Sequence, residues 1–536
     1  MSKISKISAT DFKKLYDAKA RDWALFDVRE KGETVDGHIF GASTLPRRLI
    51  EFRMAELVPD RATRVFVYGG GKDDRAALAL KTLHEIGYAN AREIDGGLPG
   101  WVAAGGEIMT GTNVPSKDFG EMIHVVEHVP SISVTEYAKM IKDPKVITCD
   151  SRTPEEFLGG HLPGAVSCPS FDMILKAGDL AKQYSTIVVN CAGRTRSIIG
   201  TSSLRRLGFQ NVFALENGTS GWLLEDGKLE KGEGRPVGEP SQESVARAEA
   251  EAARLGKEFG VRHVDLAELK KLIPASQSQN IYLFDVRPLK AYQAGHIDGT
   301  ISLPGGQAVQ RTDDFVLVRD ATVVLIDQNE ARAMMTGYWY RRMGIEKVFV
   351  LKGGVDAWVA SGEKLVAGRK HPKPLGYEAA LKKVTRLKPA EMEKHISAVK
   401  PVVIDVGASL QYGAGHLPGA KWRPRGWLES IVKDTAGPDQ ELVVTASEEG
   451  QSILAAATLH DMGYRKVKVL EGGTKAWRDA GLPVEKGKPT ETFGGPDFWL
   501  PPYEQGREGM LRYLDWEIKL GHKYEKQAGK SASHAG

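Results

Sequence analysis

The chain has 536 residues, 41% hydrophobic and 26% charged, with a formal net charge of +4. That length exceeds a single core and predicts roughly three to five domains. The charge is too small for this size to argue for nucleic acid, and no apolar run approaches the ~20 residues of a membrane span. The first residues lack the apolar stretch of a signal peptide. Three cysteines without Cys-x-x-Cys spacing exclude a disulfide framework and a structural zinc site, and make a reducing cytoplasm the simplest home.

In chain order, residues 11–18 read as a helix, 23–27 and 64–68 as strands, and 74–86 as a second helix. Short apolar runs alternating with longer helical patterns predict a parallel sheet covered on both faces. Residues 109–128 hold Gly, Asn and Pro with few apolar positions and read as a link. Cys149 lies inside an apolar strand, which is a core position. The run Ile187-Val188-Val189-Asn190 then ends on Cys191, followed by Ala192-Gly193-Arg194-Thr195-Arg196, and helical character starts at Ser197. Strand, loop and helix in that order allow the N–H groups from Ala192 to Ser197 to converge on the sulfur. The helix N-terminus and the charges of Arg194 and Arg196 add to that effect, so the sequence predicts a thiolate at Cys191. Neither other cysteine has such a setting.

Residues 232–240 are Gly/Pro-rich. Ser241 is placed to cap a helix through Val245, Ala248, Ala252 and Leu255, read as a surface helix bridging two halves of the molecule. Residues 368–375 form a basic link. After Lys488 an aromatic tail begins with Phe493, Phe498, Trp499 and Tyr503. Its Leu511, Leu514 and Ile518 have helical spacing and predict packing on a domain or partner chain. Residues 529–536 are expected to be disordered.

Internal repetition organises these elements. Asp27, Asp150, Asp285 and Asp405 end apolar runs, and His38, His161, His296 and His416 follow in Gly-His pairs. Both series step by 123, 135 and 120 residues, so independent markers keep one register. Each copy closes on a Gly-x-x-x-Trp element: Gly97 to Trp101, Gly218 to Trp222, Gly354 to Trp358 and Gly473 to Trp477. The chain is therefore a tandem array of one domain of about 120 residues.

The Asp-x-Arg strand end, the Gly-His-Leu-Pro-Gly-Ala element, the cysteine loop and the Gly…Trp close together resemble the rhodanese family. The resemblance implies an α/β fold of four tandem rhodanese-like domains, each a mostly parallel sheet with helices on both faces. Their bounds are 1–112, 113–236, 260–370 and 371–489, with a linker helix at 237–259 and a C-terminal tail at 490–536. It also implies sulfurtransferase chemistry. Cys191 would take a sulfane sulfur from an anionic, thiosulfate-like donor as a persulfide and pass it to a thiol, cyanide or a protein acceptor. Arg194 or Arg196 would neutralise the donor, and Ala192, Gly193, Thr195 and Ser197 would line the loop. No cofactor, metal, nucleic acid or membrane partner is implied, and the oligomeric state stays open.

Only the second copy carries the nucleophile, because Gly69, Asp327 and Ala446 occupy the position of Cys191 in the others. Its loop has glycine third and arginine fourth, whereas family members acting on thiosulfate commonly have glycine fourth. Asp150, Arg152, His161 and Trp222 recur where no cysteine does, which assigns them to the scaffold. Cys168 reads as core or lining, with a resolving thiol as the second reading. Two rival functions stand beside the first. A cysteine phosphatase or arsenate reductase needs Cys-x5-Arg, and here the spacing is Cys-x4-Arg. A persulfide carrier or partner-binding scaffold would show little small-molecule turnover.

Overall fold

A computed structural model describes residues 5–18, 22–368 and 372–533. Each of the four repeats builds a five-stranded sheet with one spatial order: counting only that sheet's strands along the chain, first, fifth, fourth, second and third. All pairings within these sheets are parallel. The near-continuous apolar runs of the central strands follow from helices covering both faces. In the second domain, Val146–Asp150 and Thr186–Asn190 lie side by side, with Val189 opposite Cys149 and Asn190 opposite Asp150. Cys191 therefore emerges one residue past the carboxyl edge of the sheet, where open α/β sheets place their ligands. Ile132, Tyr137, Phe157, Leu162, Val188 and Leu215 form a core of this domain.

The recurring markers are structural for visible reasons. Arg152 donates to Asp150 through its N–H (3.0 Å), Nε (2.9 Å) and Nη2 (2.8 Å), and Nη2 also reaches the Gly160 carbonyl at 2.6 Å. Arg29 with Asp27 and Arg287 with Asp285 repeat this clamp. The fourth domain has Gly407 instead, leaving Asp405 with one backbone donor, and burial pushes that carboxyl up to about 7. His161 stacks on Phe157 at 3.9 Å, as His296 does on Tyr292 and His416 on Tyr412 at 3.7 Å. Each closing tryptophan donates its Nε1–H to a carbonyl six residues on, at 2.8–3.2 Å.

The chain divides into two compact units, 1–112 with 370–499 and 113–369 with 500–536. The first and fourth domains thus share one unit, with residues 490–499 of the tail; the second and third share the other, with the rest of the tail from 500. This corrects the reading of the linker helix. Gln242–Glu258, capped by Ser241, lies inside the second unit and buries Ser244, Ala248, Ala252 and Leu255. It packs on Asp172–Gln183 of the second domain and Ala331–Arg342 of the third. The small residues of that stripe permit close helix approach.

Residues 109–128 are not a plain link either. They hold the helix Val114–Val126, with Pro115 in its first turn and Val114, Phe119 and Ile123 buried. The tail is a helix, Gly506–Ser533, which makes residues 529–533 helical; 534–536 lie outside the described residues, as do 369–371 of the basic link. Its buried stripe contains Met510, Leu514 and Glu517, whereas Leu511 and Ile518 face outward.

Candidate active site around Cys191

The loop from Cys191 to Arg194 joins the strand Thr186–Asn190 to the helix Thr195–Arg206, which begins two residues earlier than its sequence suggests. Its carbonyls are pinned by the Gly…Trp element. The N–H of Thr219 donates to the Cys191 carbonyl at 2.8 Å, and the N–H and Oγ of Ser220 donate to that of Ala192 at 3.0 and 2.8 Å. Gly218 makes this possible. Its φ is +51°, and a side chain there would press into the carbonyl oxygens of Cys191 and Gly193. Gly97, Gly354 and Gly473 meet the equivalent loop carbonyls in the other domains, which explains why this glycine recurs.

Cys191 is buried, 2% exposed, and its sulfur lies 3.6 Å from Ser197 Oγ. That hydroxyl itself donates to the Arg194 carbonyl at 2.8 Å. Burial pushes the thiol above its ordinary range; the Arg196 charge and hydrogen bonding with Ser197 pull it down without overcoming burial, and Glu517 adds to the rise. The expected standing thiolate is therefore corrected: in this closed arrangement the neutral thiol is favoured.

The two arginines also have different neighbours from those expected. Arg194 forms a two-pronged pair with Glu121, Nε to Oε1 at 2.7 Å and Nη2 to Oε2 at 2.9 Å. Burial pushes Glu121 up to about 7, against the hydrogen bonds and charge of Arg194. Arg196 pairs with Glu156 at 2.6 and 2.9 Å; although burial opposes it, the guanidinium holds that carboxylate at about 2. Arg75 and Glu33 make the same pair in the first domain, which has no cysteine. Arg196–Glu156 therefore serves the scaffold, whatever else it does.

Gly193 and Thr195 face the C-terminal helix, and Thr195 Oγ1 donates to Glu517 Oε1 at 2.6 Å. Glu121, Tyr513 and Glu517 were not singled out from sequence, and nothing local to the loop signals them. Glu156 was legible, since Glu33 and Glu156 both follow their strand-end aspartate by six residues. Cys149 and Cys168 are fully buried and adjacent. Among the described residues, no cluster of three or more His, Cys, Asp or Glu is arranged to hold a metal, and no helix is long and apolar enough to cross a membrane.

The third domain shows what this loop geometry holds. Asp327 stands at the cysteine position and accepts from the N–H groups of Gln328 (2.7 Å) and Arg332 (2.8 Å) and from Arg332 Nε (2.8 Å). The loop form accommodates an acidic group at the strand end and surrounds it with donors.

Together these features define a tandem α/β protein whose repeated anion-type loops include one that bears a thiol. The chain belongs to the rhodanese-like family, whose domain model matches residues 8–104, 133–225, 265–361 and 388–480. The crystal structure of a thiosulfate sulfurtransferase from Pseudomonas aeruginosa is similar over 98% of both chains, with 34% identity and a TM-score of 0.88. SseB of Mycobacterium tuberculosis, whose name places it among the thiosulfate sulfurtransferases, is 33% identical over 123 residues, 21% of this chain and 43% of that protein. Thiosulfate sulfurtransferase YnjE of Escherichia coli is 31% identical over 107 residues, 17% and 25% of the respective chains. This chain thus spans less than half the length of these curated relatives.

Proposed function

We propose that the protein is a sulfurtransferase that works through a persulfide on Cys191. The carrying observation is that, of four loops held alike, one presents a sulfur nucleophile, and the sister loop of the third domain surrounds an acidic group with donors at that same place. With thiosulfate, the Cys191 thiolate attacks the outer sulfur. The sulfur–sulfur bond of the donor breaks, sulfite leaves with the bonding pair, and Cys191 carries a persulfide anion. Cyanide or a thiolate then takes the outer sulfur and returns the thiolate. In this reading Ser197 and the loop amides stabilise that anion, with the Arg196 charge nearby. Donor product leaves before acceptor binds, so the kinetics are ping-pong. A reducing compartment suits three free cysteines.

Cys191→Ser abolishes the gain of one sulfur atom in intact mass after incubation with thiosulfate, whereas Cys149→Ser and Cys168→Ser retain it. Turnover by the Cys191→Ser protein overturns the reading. The carrier reading is favoured by one fact, the burial of Cys191 in a loop whose two arginines are both engaged by carboxylates. A carrier loads once and shows no steady turnover of thiosulfate with cyanide.

A further inference from the structure

The residues that close the Cys191 loop come from the far end of the chain. A methyl group built on Gly193 would lie 3.0 Å from Glu517 Oε2, 3.1 Å from Tyr513 Cε1 and 3.8 Å from Leu514 Cδ2. The C-terminal helix therefore packs directly on the loop. Glu517 is fully buried, holds Thr195 through Oε1, and has an Oε2 with no hydrogen-bond donor among the described residues. No cation pairs with it among those residues, whereas Glu121 and Glu156 each have an arginine. An acidic group so placed repels any donor that carries negative charge toward the sulfur.

The helix packs along Val114–Val126 and buries Met510, Leu514 and Glu517. Besides the Glu517–Thr195 bond, its polar anchors include Tyr524 to Asp118 at 2.8 Å, Lys523 to Asp118 at 2.6 Å and Arg507 to the Leu224 carbonyl at 2.9 Å, with Lys523 and Arg507 largely exposed. Lys117 adds a face contact, 4.9 Å from the Tyr513 ring and 5.2 Å from that of Trp516. Exposed pairs of this kind hold weakly, so what keeps the helix on the loop is its buried stripe together with the Glu517–Thr195 bond.

We propose that the C-terminal helix is a built-in cap on Cys191, and that Glu517, latched to Thr195, is the residue that excludes anionic sulfur donors while the cap is shut. Sulfur loading from thiosulfate then requires the helix to move. This rests on Cys191 as the sulfur-carrying thiol, but its test does not need sulfur transfer.

The test uses the full chain and two alkylating agents of similar size, neutral iodoacetamide and anionic iodoacetate, with modification of the Cys191 peptide followed by mass. Glu517→Gln removes charge and keeps shape. It is expected to raise the iodoacetate rate relative to iodoacetamide by about tenfold, since any change in thiolate fraction cancels in that ratio. Leu514→Ala with Tyr513→Ala loosens the cap and is expected to raise both rates together. An unchanged ratio in Glu517→Gln overturns the charge latch, and unchanged rates in the loosened protein overturn the cap. If both alkylation results appear as expected yet no donor forms a persulfide at Cys191, the cap stands and the sulfurtransferase reading falls.

Discussion

Replacing Gly218 by alanine puts a methyl group against the carbonyl oxygens of Cys191 and Gly193, at a backbone φ of +51°. The left-handed conformation alone costs a side-chain-bearing residue about 1–2 kcal/mol. The larger effect is displacement. The methyl would be 2.8 Å from the Gly193 carbonyl oxygen and closer still to that of Cys191, so the loop must retreat by roughly 1 Å to restore ordinary contact distance. A shift of that size in a reacting group lowers kcat/KM by about 100-fold, or some 2.7 kcal/mol of transition-state stabilisation. The repeat supplies its own control, because Gly97→Ala and Gly473→Ala create the same clash in domains without a cysteine. Thiosulfate–cyanide turnover and thermal melting are to be measured on all three proteins. Similar melting shifts with activity lost only in Gly218→Ala are expected. Full activity in Gly218→Ala refutes the argument, and so does an equal loss in Gly97→Ala.

Glu121→Gln removes the charge that holds Arg194 and is expected to lower KM for thiosulfate about three- to tenfold with little change in kcat; Arg194→Ala should raise it. Equal effects on charged and uncharged donors would reject a donor role for Arg194. Because burial raises the Cys191 thiol above its ordinary range, alkylation by iodoacetamide should keep climbing as pH rises through 9. A plateau below pH 8 contradicts the closed arrangement. Glu156 stands at about 2 when folded against an ordinary value of 4.5, so its pairing with Arg196 stabilises the domain above pH 4.5 and is lost as pH falls toward 2. Glu156→Gln should therefore destabilise at neutral pH by on the order of 3 kcal/mol, with wild type and variant converging in acid, as read from paired melting curves.

The fold was legible because its evidence is local and repeated. Strands 23–27 and 64–68 are apolar runs whose bounds the structure reproduces, and one strand order serves four repeats. The Gly-His and Gly…Trp markers were visible as recurrences, although their purposes, ring stacking and loop pinning, needed coordinates. The helix Val114–Val126 was missed because Gly111, Asn113 and Pro115 at its start read as a link, although Val114, Phe119, Met122, Ile123, Val125 and Val126 are apolar; its buried face also includes Ser116, Lys117, Gly120 and Glu121. Polar residues on a buried face blur the amphipathic pattern; packing partners supply the reason for their burial.

From sequence alone came the number of domains, their shared α/β architecture and the single loop with a sulfur at its strand end, since each is written in residue type and register. Tertiary structure alone decided the state of that sulfur. Glu121 is 70 residues upstream of Cys191 and Glu517 is 326 residues downstream, and no spacing rule connects either to it. Charge acts through distance in space rather than along the chain. Two loop arginines that promise a thiolate when read in order are instead opposed, once the chain folds, by burial and by carboxyl groups from its remote helices.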